Sequence, residues 1–278
     1  MRVITAALIT GFWLAMMGWL IFREILPSYW VGRAPTYRIV IGDRPLKPRV
    51  EKAGLFVWNQ RIGSVRTEIR PAENGRTEIE TITTVNLPDE LKALGNPDDA
   101  GAPPTGVLEM RSQVLLTATQ ELDRIDANLK LPTGSRRLAG RVIDGGLEID
   151  LFDGERKESS HRVENIQLQT LSGGMSQFLF LPDLYEGKEW SLQSLDPFTL
   201  KLETAHAKVL EKEQIIWNKT KIYAFRVEVT RGANKLSTAW VHPDGRVLKE
   251  TFLDLIQVIR DPDPPEKEAP LQAPEEPK

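Results

Sequence analysis

The feature that most constrains this chain is a period-two alternation of apolar residues through most of its length, which only extended strands with one buried face can satisfy. Leu108, Met110, Val114, Leu116 and Ala118 share one parity, and Ile125, Ala127, Leu129 and Leu131 share one in the next segment. Further on, Tyr223, Phe225, Val227 and Val229 repeat the pattern. Turn signals separate these runs: Asn74-Gly75, Asp144-Gly145-Gly146, Asp153-Gly154, Gly232-Ala233-Asn234 and Pro243-Asp244-Gly245. Short links between alternating strands predict an antiparallel meander. The expected fold is mainly β, a curved antiparallel sheet with one or two short helices.

A hairpin is expected over residues 54–69, turning near 59–63, and strands over 77–85, 138–143, 147–152, 190–195, 209–217, 222–230, 236–241 and 247–259. Ile166 and Leu168 suggest one more. Leu87, Leu91 and Leu94 fall at helical spacing behind Pro88 and before Gly95, predicting a short helix, and residues 172–184 predict a second one capping the sheet.

Residues 3–22 contain no charge, and twenty residues in a helix at about 1.5 Å each match the roughly 30 Å apolar core of a bilayer. Trp19, Arg23, Tyr29 and Trp30 flank the run as interfacial residues do, and Pro27 would end the helix. The expectation is a single N-terminal transmembrane helix acting as an uncleaved signal anchor. It implies a single-pass cell-membrane protein with its bulk extracytoplasmic, in the periplasm. Ala7, Gly11 and Ala15 recur every four residues, the small-residue spacing that lets two membrane helices pair.

The domain plan that follows is an anchor over 1–30, a proline-containing stalk over 31–53 with a short strand at 37–41, a β-rich domain over 54–260, and a tail over 261–278. The tail holds six prolines, six acids and two lysines, so it is expected to stay disordered. It also carries a net −4 of the chain's −3, which leaves the remainder at +1. A nearly neutral body without a concentrated basic patch argues against a nucleic-acid partner.

Chemistry is sparse. With no cysteine, there is neither disulfide nor thiol catalysis, and His161, His206 and His242 lack a second ligand at metal-binding spacing. No catalytic residues, cofactor or metal are expected. Ser172-Gly173-Gly174-Met175-Ser176 does not match a nucleophile elbow, and Asn218-Lys219-Thr220 reads as a turn. The aromatic residues Trp190, Trp217, Phe225, Trp240 and Phe252 remain as candidates to line an apolar concavity on the sheet.

Two segments carry a resemblance. Val57-Trp58-Asn59-Gln60-Arg61-Ile62-Gly63 and Trp240-Val241-His242-Pro243-Asp244-Gly245-Arg246-Val247-Leu248 are similar to bacterial envelope proteins with the open β-barrel of the LolA/LolB lipoprotein carriers. The resemblance implies an extracytoplasmic open half-barrel around an apolar concavity. The expected function is a membrane-tethered, non-enzymatic envelope module that binds a lipid-like ligand or a partner envelope protein on its curved sheet. The alternatives are an envelope hydrolase with dispersed acids and a scaffold or regulatory domain without ligand.

Overall fold

The computed structural model describes residues 16–17, 35–41, 47–86, 107–131, 134–164, 180–195 and 202–262. A single helical turn, α1 (Tyr37–Ile41), precedes β1 (Arg49–Val57), β2 (Gln60–Pro71) and β3 (Thr77–Asn86). Next come β4 (Val107–Leu116), β5 (Leu122–Leu131), β6 (Gly134–Ile143), β7 (Gly146–Asp153) and β8 (Arg156–Val163). The second wing comprises β9 (Glu189–Leu195), β10 (Leu202–Trp217), β11 (Thr220–Arg231), β12 (Asn234–Val241), β13 (Val247–Phe252) and β14 (Ile256–Arg260).

All fourteen strands form one sheet, in the order β8-β7-β6-β5-β4-β3-β2-β1-β14-β13-β12-β11-β10-β9. Every strand except β8 and β9 pairs antiparallel with both of its chain neighbours, and the first strand pairs with the last. Among the described residues the order is therefore a ring open between β8 and β9. The β1–β14 register sets Ala53 opposite Arg260, Leu55 opposite Val258 and Val57 opposite Ile256.

Tight turns allow neighbouring strands to pair. Trp58 and Asn59 (φ 48° and 63°) link β1 to β2, and Asn218 and Lys219 (φ 47° and 63°) link β10 to β11. Two positive φ values in a two-residue link give the primed turn that suits the twist of a hairpin. Six of the pairings contain a register shift, such as that between Leu55 and Phe56, and such bulges bend a sheet.

One face, the inner one, carries the core in three clusters. The first gathers Ile69, Leu116, Leu122, Ile125, Leu138, Leu147 and Ile149, with Ile41 of α1 buried among them. The second surrounds the fully buried Trp190 with Ala205, Val209, Val227, Ala239 and Val241. The third joins Leu55, Val57, Ile62, Val65 and Val258 across the β1–β14 seam. Leu181 is buried in the second cluster, tied down by its amide donating to the Gly245 carbonyl at 2.7 Å.

Several expectations are corrected. The N-terminal transmembrane helix is not supported, nor is the single-pass, signal-anchor topology built on it: among the described residues no helix is long and apolar enough to cross a membrane. A span needs about twenty residues in one apolar helix, and no helix among the described residues reaches that. Of residues 3–22 only Met16 and Met17 are described, and Ala7, Gly11 and Ala15 lie outside the described residues. The helix expected at 87–95 also lies outside them, as does most of 172–184; the described part of the latter, from Phe180, is not helical and makes an isolated bridge to Arg246. Residues 37–41 form a helical turn instead of a strand, and β1 begins at Arg49, inside the expected stalk. The single strand expected over 247–259 is a hairpin, because Leu253 and Asp254 adopt φ 48° and 56°.

Gly63 shows how closely β2 and β3 approach. A Cβ added there would collide with the backbone carbonyl of Thr84 on β3, which cannot move without breaking the strand pairing. Gly63→Ala should cost about 1–3 kcal/mol of stability, as overpacking usually does, read as a lowered urea midpoint in chemical unfolding.

Candidate functional site

Alternation places Glu51, Ala53, Leu55 and Val57 of β1 on one face, and Ile256, Val258 and Arg260 of β14 share that face through the register. On β13, Glu250 lies opposite Val258 and Phe252 opposite Ile256. Four charged residues, Arg49, Glu51, Glu250 and Arg260, thus occupy inward positions in otherwise apolar rows. A charge at such a position needs a partner or a proton.

Arg260 has one. Its Nη1 donates to Glu51 Oε2 at 2.8 Å, with the two side chains only 12% and 11% exposed, and Arg49 Nε stands 3.5 Å from Glu51 Oε1. The strand end is fixed further by the Asp261 amide donating to the Lys52 carbonyl at 2.9 Å and by Trp217 Nε1 donating to the Arg260 carbonyl at 3.0 Å. Beside this pair, the Thr67 and Thr81 hydroxyls share a hydrogen bond of 3.1 Å.

Among the described residues, Glu250 has no cation. It is 3% exposed and lies across from Ala239 on one side and Val258 on the other. Burial pushes its carboxyl up to about 7, against the opposing effect of a hydrogen bond with Ser237. Its Oε2 has no hydrogen-bond partner among the described residues. Glu250, Glu51, Arg260 and Thr67 line one cavity of about 30 Å³. That is room for one or two water-sized groups, well short of the several hundred Å³ that encloses a whole drug-sized ligand.

The aromatic candidates do not form one site. Trp190 is fully buried in the second cluster with Phe225 packed against it, and Phe252 packs against the third cluster. Trp240 pairs with Arg226 and Lys249 in the opposite parity from the buried Ala239 and Val241, so it belongs to the outer face. There its indole Nε1 donates to Glu213, and the Lys249 ammonium lies 4.9 Å from its ring centre. Trp217 is committed to the Arg260 carbonyl at the seam.

Sequence reasoning passed over Glu51, Glu250 and Arg260. Their signal was available: each keeps the parity of its apolar neighbours, as Glu250 does between Leu248 and Phe252. Among the described residues, no group of three or more His, Asp or Glu side chains is placed to hold a metal ion. Ser191 Oγ and His206 Nδ1 lie 3.0 Å apart on an exposed surface, without a carboxylate bonded to that histidine among the described residues.

No family model matches this chain, and no curated protein matches it. Among solved structures, it is similar to a β-barrel-like protein of the domain of unknown function DUF1849 from Brucella abortus, with a TM-score of 0.43 and 10% identity. That match covers 77% of this chain and 95% of the other. A DUF1089 family protein from Pseudomonas aeruginosa matches with a TM-score of 0.33 and 14% identity over 66% of this chain and 87% of its own. Neither description names a ligand or an activity.

Glu250 makes stability depend on pH. Because its folded-state pKa of about 7 stands above the ordinary 4.5, the neutral acid is favoured by folding. Its contribution is fully present below pH 4.5 and is lost as pH rises through about 7. Unfolding free energy should fall by roughly 2–3 kcal/mol from this group across that interval. Denaturant unfolding at the two ends of the interval should show the loss in the native chain and not in Glu250→Gln.

Proposed function

We propose that this chain is a non-enzymatic binding module, an open barrel-like sheet whose inner face receives an apolar, lipid-like guest against β3, β4 and β5. One observation carries the reading. Val85 pairs with Leu108 and Met110 with Leu129, all on the inner face, and all four stay only partly buried where inward residues such as Leu55 and Ile69 are fully buried. Ile79, Val114 and Ala127 continue the row, each only partly buried against the first cluster. Contiguous apolar surface of this kind on a folded protein marks a binding site more often than chance.

The lipoprotein-carrier resemblance supports the same reading, since it implies an open barrel around an apolar concavity. The reading is limited to binding; the residues give no support for moving lipoproteins between membranes. The hydrolase alternative needs two acids converging in an open cleft. Glu51 is instead engaged by Arg260 in a cavity too small for a polymer substrate, and Glu78 and Asp126, which line a larger space of about 210 Å³, are bonded to Arg70 and Arg137.

A partner protein is the second reading, favoured by the two sheet edges, β8 and β9, that lack a second strand partner among the described residues. Strand β8 discourages strand addition with Arg156, Lys157, Glu158 and Arg162, all exposed. Strand β9 carries one charged residue, Glu189, and is the edge that a partner strand would take.

Native mass spectrometry of the full chain tests the first reading. The protein should carry lipid-sized adducts, and Leu129→Asp should lower their occupancy at least about tenfold, because a charge set against an apolar guest costs more than the 1.4 kcal/mol that tenfold represents. Trp240→Asp, on the outer face, should leave occupancy unchanged. A clean unliganded mass for the native chain would sink the apolar-guest reading and leave the partner-protein one.

A further inference from the structure

We infer that the cavity at the β1–β14 seam is the head-group subsite for that guest, and that the head it accepts is a primary alkylammonium. The inference rests on the apolar-guest reading above and adds to it the chemistry of the head.

Position comes first. Thr67 and Val65 line the cavity and sit on β2. Across the register, Thr67 faces Thr81 and Val65 faces Thr83, and Thr83 in turn faces Met110 on β4. Neighbouring strands are about 4.8 Å apart, so the cavity and the partly buried apolar row are separated by two strand spacings along the same face. An amphiphile with a medium-length alkyl chain could occupy both.

The cavity wall then selects the head. Four other charged residues line it: Glu51, Arg260, Lys52 and Lys249. Glu51 and Arg260 bond each other. Lys52 is exposed, and the Lys249 ammonium lies over the Trp240 ring on the outer face. Glu250 is left as the acid without a cation, its Oε2 unpartnered among the described residues in the wall of a water-sized space. What fits is a compact hydrogen-bond donor, and a positive one compensates the buried carboxylate. An ammonium meets both conditions. A carboxylate head would meet Glu250 with like charge, and a quaternary ammonium would be too large and has no N–H to donate.

Calorimetric titration of the full chain with decylamine, decanol and decanoate tests this. Decylamine stays protonated over the working range, while the Glu250 carboxyl, pushed up to about 7, ionises within it. Decylamine affinity should therefore rise about tenfold between about pH 6 and about pH 8. Decanol should bind more weakly without that rise, and decanoate most weakly. Glu250→Gln should abolish the rise and bring decylamine down to decanol. If the variant does not fold, the pH profile of the native chain decides alone. Equal affinities for the three probes, or a decylamine affinity flat with pH, would overturn the ammonium subsite and leave the apolar-guest reading standing. Binding by none of them would overturn both.

Discussion

The pairing of β1 with β14 is the constraint on which the rest of the structure depends. Every other pairing in the sheet joins strands adjacent in the chain, so each could form as a local hairpin or meander link. Only this one joins the two wings, eight strands on one side and six on the other, into a single sheet. Three kinds of interaction converge there: the backbone ladder, the third apolar cluster with Leu55, Val57 and Val258, and the Glu51–Arg260 ion pair. Breaking a pair so little exposed leaves a charge without compensation, typically more costly than never having placed one there. The pair therefore favours one register, since a slip of one residue would turn Arg260 to the opposite face from Glu51.

The same seam is where the inner face is least apolar. Thr67, Ser237 and Glu250 are all buried there or next to it, and each of the two hydroxyls has found a partner. The carboxyl of Glu250 is only half satisfied, so the protein accepts a stability cost at neutral pH that a leucine at that position would avoid. Natural sequences more often keep such costs where a site uses them than in plain core. The candidate site thus follows from the architecture: the seam that unites the wings also concentrates polar groups beside an apolar wall.

Strand parity was legible wherever apolar residues alternated cleanly, as in Tyr223, Phe225, Val227 and Val229 of β11. It failed in β8, where Arg-Lys-Glu-Ser-Ser-His-Arg offers no apolar face and pairing with β7 alone makes the strand. The turn at Leu253 and Asp254 was hidden because neither residue is glycine, and the left-handed backbone there is imposed by pairing on both sides. At Tyr37–Ile41 a β-branched run suggested a strand; packing of Ile41 into the first cluster prevails over propensity. Of the hydrophobic N-terminal run only Met16 and Met17 are among the described residues. For the site, aromatic content drew attention to Trp217 and Trp240, whereas the informative residues were the charged ones in phase with apolar neighbours.

The ring-like strand order has a consequence for how the chain must fold. Glu51 and Arg260 are separated by 209 positions, and closing so long a loop costs entropy that nearest-neighbour hairpins do not pay. On a ribosome, the eight-strand wing emerges first and can zip up hairpin by hairpin while β14 is still unmade. Throughout that interval β1 is a bare edge, with Leu55 and Val57 waiting for Ile256 and Val258. Unpaired apolar edges of that sort invite the wrong strand. The most aggregation-prone moment in the life of this protein is thus set by its connectivity, and it ends when the last five-residue strand arrives.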